Sequence, residues 1–302
     1  MNVLGYRPNI LFLIWIRNKN VLFLLNHKLN RKLYYRKLIT ALTTKETGNY
    51  DKCDFIIWKV NGQTHREPSP DGKVGPASIY GISKNNPNGT EHYYIKHGQR
   101  HRDDGPAWIK GISNQNPHGT WHEYYISGEC HRDDGPAWID GISIENPKGN
   151  KHVYYNHGNF HRGLSQNGKV GPAWIEGISN ETPNGTKHVY YKHGNVHRGL
   201  SQNEKVEPAI IDGISKENPN GTYHCYYKHG NVHRGLSQDG KVGPAIIQGI
   251  SKENPNGTSH HYYRNGLHHR DDGPAWITGI SKGCTNGTTH VYYKNGEQVD
   301  PF

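Results

Sequence analysis

Polar and aromatic positions alternate in short runs throughout this chain, and the runs are separated by glycine turns. In one unit, Gly213-Ile214-Ser215 leads into the loop Lys216 to Gly221, Thr222 to Tyr227 follows as an alternating polar and aromatic run, and His229-Gly230 comes next. Alternation with period two describes a half-buried strand. Asn-Gly between two such runs predicts a type I′ hairpin, which needs positive φ at both central residues. That loop recurs at Asn88-Gly89, Asn184-Gly185, Asn256-Gly257 and Asn286-Gly287. A second turn follows each tyrosine pair, at His97-Gly98, Ser127-Gly128, His157-Gly158, His193-Gly194, His229-Gly230, Asn265-Gly266 and Asn295-Gly296.

The units are copies of one another. HRDDGPAWI stands at His101 to Ile109, at His131 to Ile139 and at His269 to Ile277, and the His-Arg pair starts at positions 65, 101, 131, 161, 197, 233 and 269, with spacings of 30 or 36 residues. Fixed periods of this size signal stacked supersecondary units. The long units insert six residues before Gly-Pro-Ala, as in HRGLSQNGKVGPA at His161 to Ala173. Six is even, so the following strand keeps its faces, whereas a helical array would be rotated out of register. The fold class expected is an all-β repeat array, an elongated antiparallel meander of about seven stacked β-hairpins over 51–302, preceded by a short α-helical segment in 1–50.

A two-residue loop at His157-Gly158 pairs Asn156 with Asn159, Tyr155 with Phe160, and Tyr154 with His161. Applied to every unit, this sets Tyr94 opposite His101, Tyr124 opposite His131, Tyr190 opposite His197, Tyr226 opposite His233 and Tyr262 opposite His269, with Trp58 and His65 in the degenerate first unit. Cross-strand neighbours lie about 5 Å apart at Cβ, so ring and imidazole are expected to touch. These tyrosines and histidines form the candidate binding ladder. By parity, His152, Tyr154 and His161 share one face, and the equivalents of His152 are His122, His188, His224, His260 and His290. The other face receives Val153, Tyr155, Phe160, Arg162, Trp174 and Ile178, with Arg162 diagonally over Tyr155, and is expected to be the better buried one.

Residues 1–50 differ. They hold nine Lys or Arg against Glu46 alone, while the remaining chain holds 27 basic and 25 acidic residues, so most of the net charge of +10 belongs to this arm. The apolar runs Ile10 to Ile16 and Val21 to Leu25 are too short to span a bilayer, and no small-residue cleavage site follows them. Leu22, Leu25, Leu29 and Leu33, with Lys28, Arg31, Lys32, Arg36 and Lys37 around them, describe a basic amphipathic helix. Its expected roles are a cap over the first sheet edge, docking to a partner or an anionic membrane surface, or a transit peptide. Pro8 through Tyr34 also resembles the helical F-box, with a departing spacing. Nucleic acid is not an expected partner of the nearly neutral array.

The hydrophobic fraction of 32% argues against one large core, so the 20 Tyr and 7 Trp must supply much of the buried area. Cys53, Cys130, Cys225 and Cys284 take different places in their repeats, which predicts apolar fillers in a reducing, intracellular setting and no disulfide framework. Asp103-Asp104, Asp133-Asp134 and Asp271-Asp272 read as turn chemistry with local charge pairing, since the long units carry uncharged residues such as Gly163-Leu164 instead. No metal or cofactor site is expected. Asn-x-Thr sequons at Asn88, Asn180, Asn184, Asn220, Asn256 and Asn286 are read as turn geometry, with glycan attachment in a secreted chain as the alternative.

A tyrosine pair, a glycine turn, His-Arg, Asp-Gly-Pro-Ala and a Trp-Ile strand resemble the MORN family, and YYKNG at Tyr292 to Gly296 with HRDDGPA at His269 to Ala275 resembles its variant in giant DNA viruses, some bacteria and phages. The likeness covers about Asp54 to Gly296; Glu207 departs from it in one Gly-Pro-Ala, and the NPNGT loop is longer than usual. It implies side-by-side hairpins serving as a scaffold or membrane-proximal module, in host cytoplasm or virion if the source is viral. Catalysis wants one asymmetric constellation, and here every His, Tyr and Asp is copied. The expectation is a noncatalytic scaffold for an unknown protein partner. Carbohydrate binding by aromatic hairpins, anionic-lipid binding through residues 17–37 and edge-to-edge self-association stand as alternatives.

Overall fold

A computed structural model describes residues 43–50, 53–66, 69, 72–163, 170–199, 206–236 and 240–301. The expected helices of the N-terminal arm, with Lys28, Arg31, Lys32, Arg36 and Lys37, lie outside the described residues. So does the F-box likeness. Thr43–Tyr50, which the sequence reading placed with the arm, is a strand that pairs antiparallel with Cys53–Val60 along its whole length. Strand structure therefore begins before position 51.

The described residues form one 18-stranded antiparallel sheet. It is a meander: Ser78–Ile82 pairs with Cys53–Val60 and with Glu91–Tyr93, which pairs in turn with Trp108–Lys110, and the path continues strand by strand to Thr289–Lys294 and Glu297–Val299. Beyond the sheet each unit extends as a two-stranded arm, such as Tyr155–Asn156 against Asn159–Phe160, or Tyr191–Lys192 against Asn195–Val196. The predicted arm register holds: Tyr155 faces Phe160, Asn156 faces Asn159, and the His161 N–H donates to the Tyr154 carbonyl at 3.2 Å.

Turn chemistry explains where the chain reverses, with one correction. The second turn is the type I′ turn, with φ of 45° at His157 and 74° at Gly158, and a residue of positive φ precedes glycine in the same way in the other arms. The Asn-Pro-Asn-Gly loop was expected to be type I′ and is not. There Asn86 to Gly89 close through the Gly89 N–H on the Asn86 carbonyl at 3.1 Å, proline occupies the second place, and only Gly89 takes positive φ, 75°. Pro87 fixes its own φ near −65°, which suits an ordinary turn followed by a left-handed glycine.

Side-chain alternation survives in the strands and fails beyond them. Isoleucine and histidine alternate across the sheet in register: Ile109 faces His122, His122 faces Ile139, Ile139 faces His152, His152 faces Ile175, and Ile175 faces His188. His152, Tyr154, Arg162, Ile175 and Ile178 line one groove. Arg162 and Ile178 thus belong to this tyrosine face, not to the opposite one as counting by twos predicted. The count breaks because residues 161–163 are not strand, and because Gly177 turns the chain with φ of 70°.

The tyrosine face is also the better buried one, contrary to expectation. Tyr94, Tyr190, Tyr226 and Tyr262 are buried, as are Ile112, Ile142, Ile178 and Ile280, and the alanine of every Gly-Pro-Ala from Ala107 to Ala275 has no exposed surface. Tyr262, Ala275, Ile277 and Ile280 pack as one cluster. On the opposite, tryptophan face Val153, Val189 and Cys225 are buried, while Tyr125, Tyr155, Tyr191, Tyr227 and Tyr263 are half-buried.

Candidate functional site

Each His-Arg pair joins two contacts that the sequence reading assigned differently. The arginine, not the histidine, covers the first tyrosine of its own unit. Guanidinium carbons lie 3.9 to 4.2 Å from the ring centroids for Arg102 on Tyr94, Arg132 on Tyr124, Arg162 on Tyr154, Arg198 on Tyr190, Arg234 on Tyr226 and Arg270 on Tyr262. A cation over an aromatic face is held by the ring quadrupole, more strongly when partly desolvated. Each guanidinium also donates to the proline carbonyl of Gly-Pro-Ala, as from Arg234 Nη1 to Pro244 at 3.1 Å. The glycine before that proline leaves room for it: a Cβ at Gly171 or Gly243 would lie 2.8 or 2.7 Å from guanidinium atoms. Where Glu207 replaces the glycine, its carboxylate pairs with Arg198.

The histidine reaches the next unit. Its Nδ1 accepts the N–H of the first turn residue there: His97 to His65 at 3.2 Å, Ser127 to His101 at 3.0 Å, His157 to His131 at 3.3 Å, His229 to His197 at 3.3 Å, Asn265 to His233 at 3.4 Å and Asn295 to His269 at 3.0 Å. Where the turn residue is histidine the two rings stack, with centroids 4.9 Å apart for His65 and His97 and 4.2 Å for His131 and His157. His161 is the exception. Its ring stacks on His193 at 5.4 Å, and its Nδ1 is buried without a hydrogen-bond partner among the described residues.

The paired aspartates complete the motif. In the short units Nε2 of His101, His131 and His269 donates to Asp103, Asp133 and Asp271, while Nε of Arg102, Arg132 and Arg270 donates to Asp104, Asp134 and Asp272. The Arg hydrogen bond holds the second carboxyl of each pair below the usual carboxylate range. Local charge pairing is thus what the doublets do.

The histidines of the sheet have a different role. His92 Nε2 donates to the Asn88 carbonyl at 2.7 Å, His188 to Asn184 at 2.6 Å, and His122, His152, His224, His260 and His290 repeat the bond four residues back. Burial pushes the first six of these imidazoles below their ordinary pKa of 6.5 and keeps them neutral. Burial likewise raises the hydroxyls of Tyr94, Tyr124, Tyr190, Tyr226 and Tyr262.

Sequence reasoning missed a second staple, at the opposite end of four of the units. The asparagine before the loop proline donates from Nδ2 to an isoleucine carbonyl of the following unit: Asn86 to Ile112 at 2.9 Å, Asn116 to Ile142 at 3.0 Å, Asn146 to Ile178 at 3.2 Å and Asn254 to Ile280 at 3.0 Å. Its recurrence three residues after a serine was the available signal, for Ser83 Oγ accepts the Asn86 N–H at 3.1 Å.

The tryptophan face carries stacked rings interleaved with cations. Tyr93 stacks on Trp108 at 5.3 Å, Phe160 on Trp174 at 6.0 Å and on Tyr191 at 4.8 Å. Lys110 lies 3.9 Å from the Trp108 centroid, Lys151 lies 4.0 Å from that of Trp174, and Arg100 lies over both Trp108 and Tyr125. Among the described residues no three His, Cys, Asp or Glu side chains converge as a metal site would require, and no helix is long and apolar enough to cross a membrane. No family model matches this chain, and neither a curated protein nor a solved structure does.

Proposed function

We propose that the chain is a noncatalytic scaffold of the MORN-like kind whose tryptophan face binds a protein partner. One observation carries the reading: the polar groups of the tyrosine face are consumed by contacts that build the array, while the opposite face keeps half-buried aromatic rings and cations across consecutive units. Aromatic residues and arginine are the side chains enriched at protein interfaces and at their energetic centres. Sugar binding by stacking needs free ring faces. Here Lys110 and Lys151 lie over the Trp108 and Trp174 rings, which favours a protein over a glycan at those two positions.

Affinity purification with the full chain and with a Trp108→Ala/Trp174→Ala variant tests this. A partner retained by the parent chain, lost by the variant and able to bind the purified parent directly supports the reading, provided circular dichroism shows the variant folded. Selective binding on a glycan array, or liposome association that disappears when residues 17–37 are removed, replaces it with the carbohydrate or lipid alternative.

A further inference from the structure

We propose that the hairpin turns form an acid-released column: at every joint except that of His161 an uncharged imidazole of the His-Arg pair holds the next unit's turn through its Nδ1 lone pair, and protonation of that nitrogen frees the turns while the sheet ladder stays paired. An imidazolium has an N–H at both nitrogens and accepts nothing. The main-chain N–H of residue 97, 127, 229 or 265 would then face a second N–H. What it leaves is a His, Ser or Asn held at φ of 49° to 51°, a conformation that is unfavourable for an L residue and that this bond helps to fix.

The groups facing each imidazole come from its own unit and from the next. His65 meets the His97 ring; His101 meets Asp103; His131 meets Asp133 and His157, and Nδ1 of His157 pairs with Glu129. His197 meets His229, with Lys192 and Lys228 near it; His233 has Lys228 and Arg264; His269 meets Asp271, which Arg264 also reaches. Burial first, and then these neighbouring cationic groups, hold His197 and His233 below the ordinary imidazole range, so these joints stay closed at neutral pH. The short units set a carboxylate at Nε2 of His101 and His131, which fixes the tautomer that leaves Nδ1 open.

The molecule contains its own controls. The glycine after each turn residue donates to a main-chain carbonyl that cannot titrate, as Gly98 does to Thr64 at 3.1 Å and Gly230 to Val196 at 3.1 Å. At His193 no such Nδ1 bond forms, although Gly194 still donates to Phe160 at 3.1 Å.

Amide hydrogen exchange of the full chain, read residue by residue by NMR at about pH 7.5 and about pH 4.8 and corrected for intrinsic rates, tests the column. The amides of His97, Ser127, His229 and Asn265 should lose protection about tenfold more than the glycine that follows each. His193 and Gly194 should change together. In His197→Asn, where a non-titrating carbonyl replaces Nδ1, the ratio of His229 to Gly230 protection should not depend on pH. Imidazole nitrogen shifts at neutral pH supply a reading that needs no variant: Nδ1 of His101, His197 and His233 should be unprotonated. Equal losses at turn residue and glycine, a response at His229 that survives in His197→Asn, or a protonated Nδ1 at neutral pH would overturn the proposal.

Discussion

Two glycines separate backbone strain from crowding. Gly158, in the hairpin turn, has φ of 74°, and a Cβ placed on it would meet nothing within 4 Å. Gly149, in the Asn-Pro-Lys-Gly loop, has φ of 75°, but its Cβ would lie 2.5 Å from the Asp140 carbonyl oxygen and 2.7 Å from Ile139 Cγ2. Left-handed backbone costs an L residue roughly 1–2 kcal/mol, so Gly158→Ala should cost about that. Gly149→Ala carries the same strain and adds an overlap with main chain that cannot rotate away, for which overpacking costs of about 1–3 kcal/mol are usual. Because stability in an array is local to a unit and its neighbours, native-state hydrogen exchange is the suitable assay. Protection at Tyr154 and His161 should fall roughly 5- to 30-fold in Gly158→Ala, and protection at Asn150 should fall about tenfold further than that in Gly149→Ala. Equal losses in the two variants would refute the assignment of a steric role to the loop glycine.

Two more predictions follow from burial. His92, His122, His152, His188, His224 and His260 are neutral in the fold and held below 6.5, whereas an unfolded chain protonates them near 6.5, so the unfolded state binds more protons as pH falls. Stability is therefore full above about pH 6.5 and declines toward the lowered values, with His261, at about 4, setting the lower reach; each such group contributes a slope of up to about 1.4 kcal/mol per pH unit. Urea midpoints that stay level or rise between neutrality and mild acid would contradict this. Burial also pushes the thiols of Cys130 up to about 12 and Cys225 up to about 11, so iodoacetamide at mildly alkaline pH should alkylate both at least about tenfold more slowly than in urea, and equal rates would count against the packing described.

Much of this architecture was legible in the chain. The repeat of His-Arg gave the units, positive-φ glycine turns gave the arms, and counting back from His157-Gly158 gave the pairing of Tyr155 with Phe160, because a two-residue turn leaves no freedom in register. The count also put histidine in line with histidine along the sheet. Those inferences are local, and the physics behind them acts over a few residues.

Which side chain meets which could not be counted. Alternation holds only where backbone is extended, so the bend after His161 and the left-handed Gly177 moved Arg162 and Ile178 to the face opposite the one predicted. The arginine then took the tyrosine ring, and the histidine found its partner 26 or 32 residues on, in a turn that only stacking brings within reach. Sequence alone determined that this protein is a row of hairpins, since turns and alternation are properties of neighbouring residues. Tertiary structure alone decided that the repeated polar residues of each copy serve the joints between copies, because a hydrogen bond across a repeat boundary depends on where the next hairpin lies and not on the residues beside it.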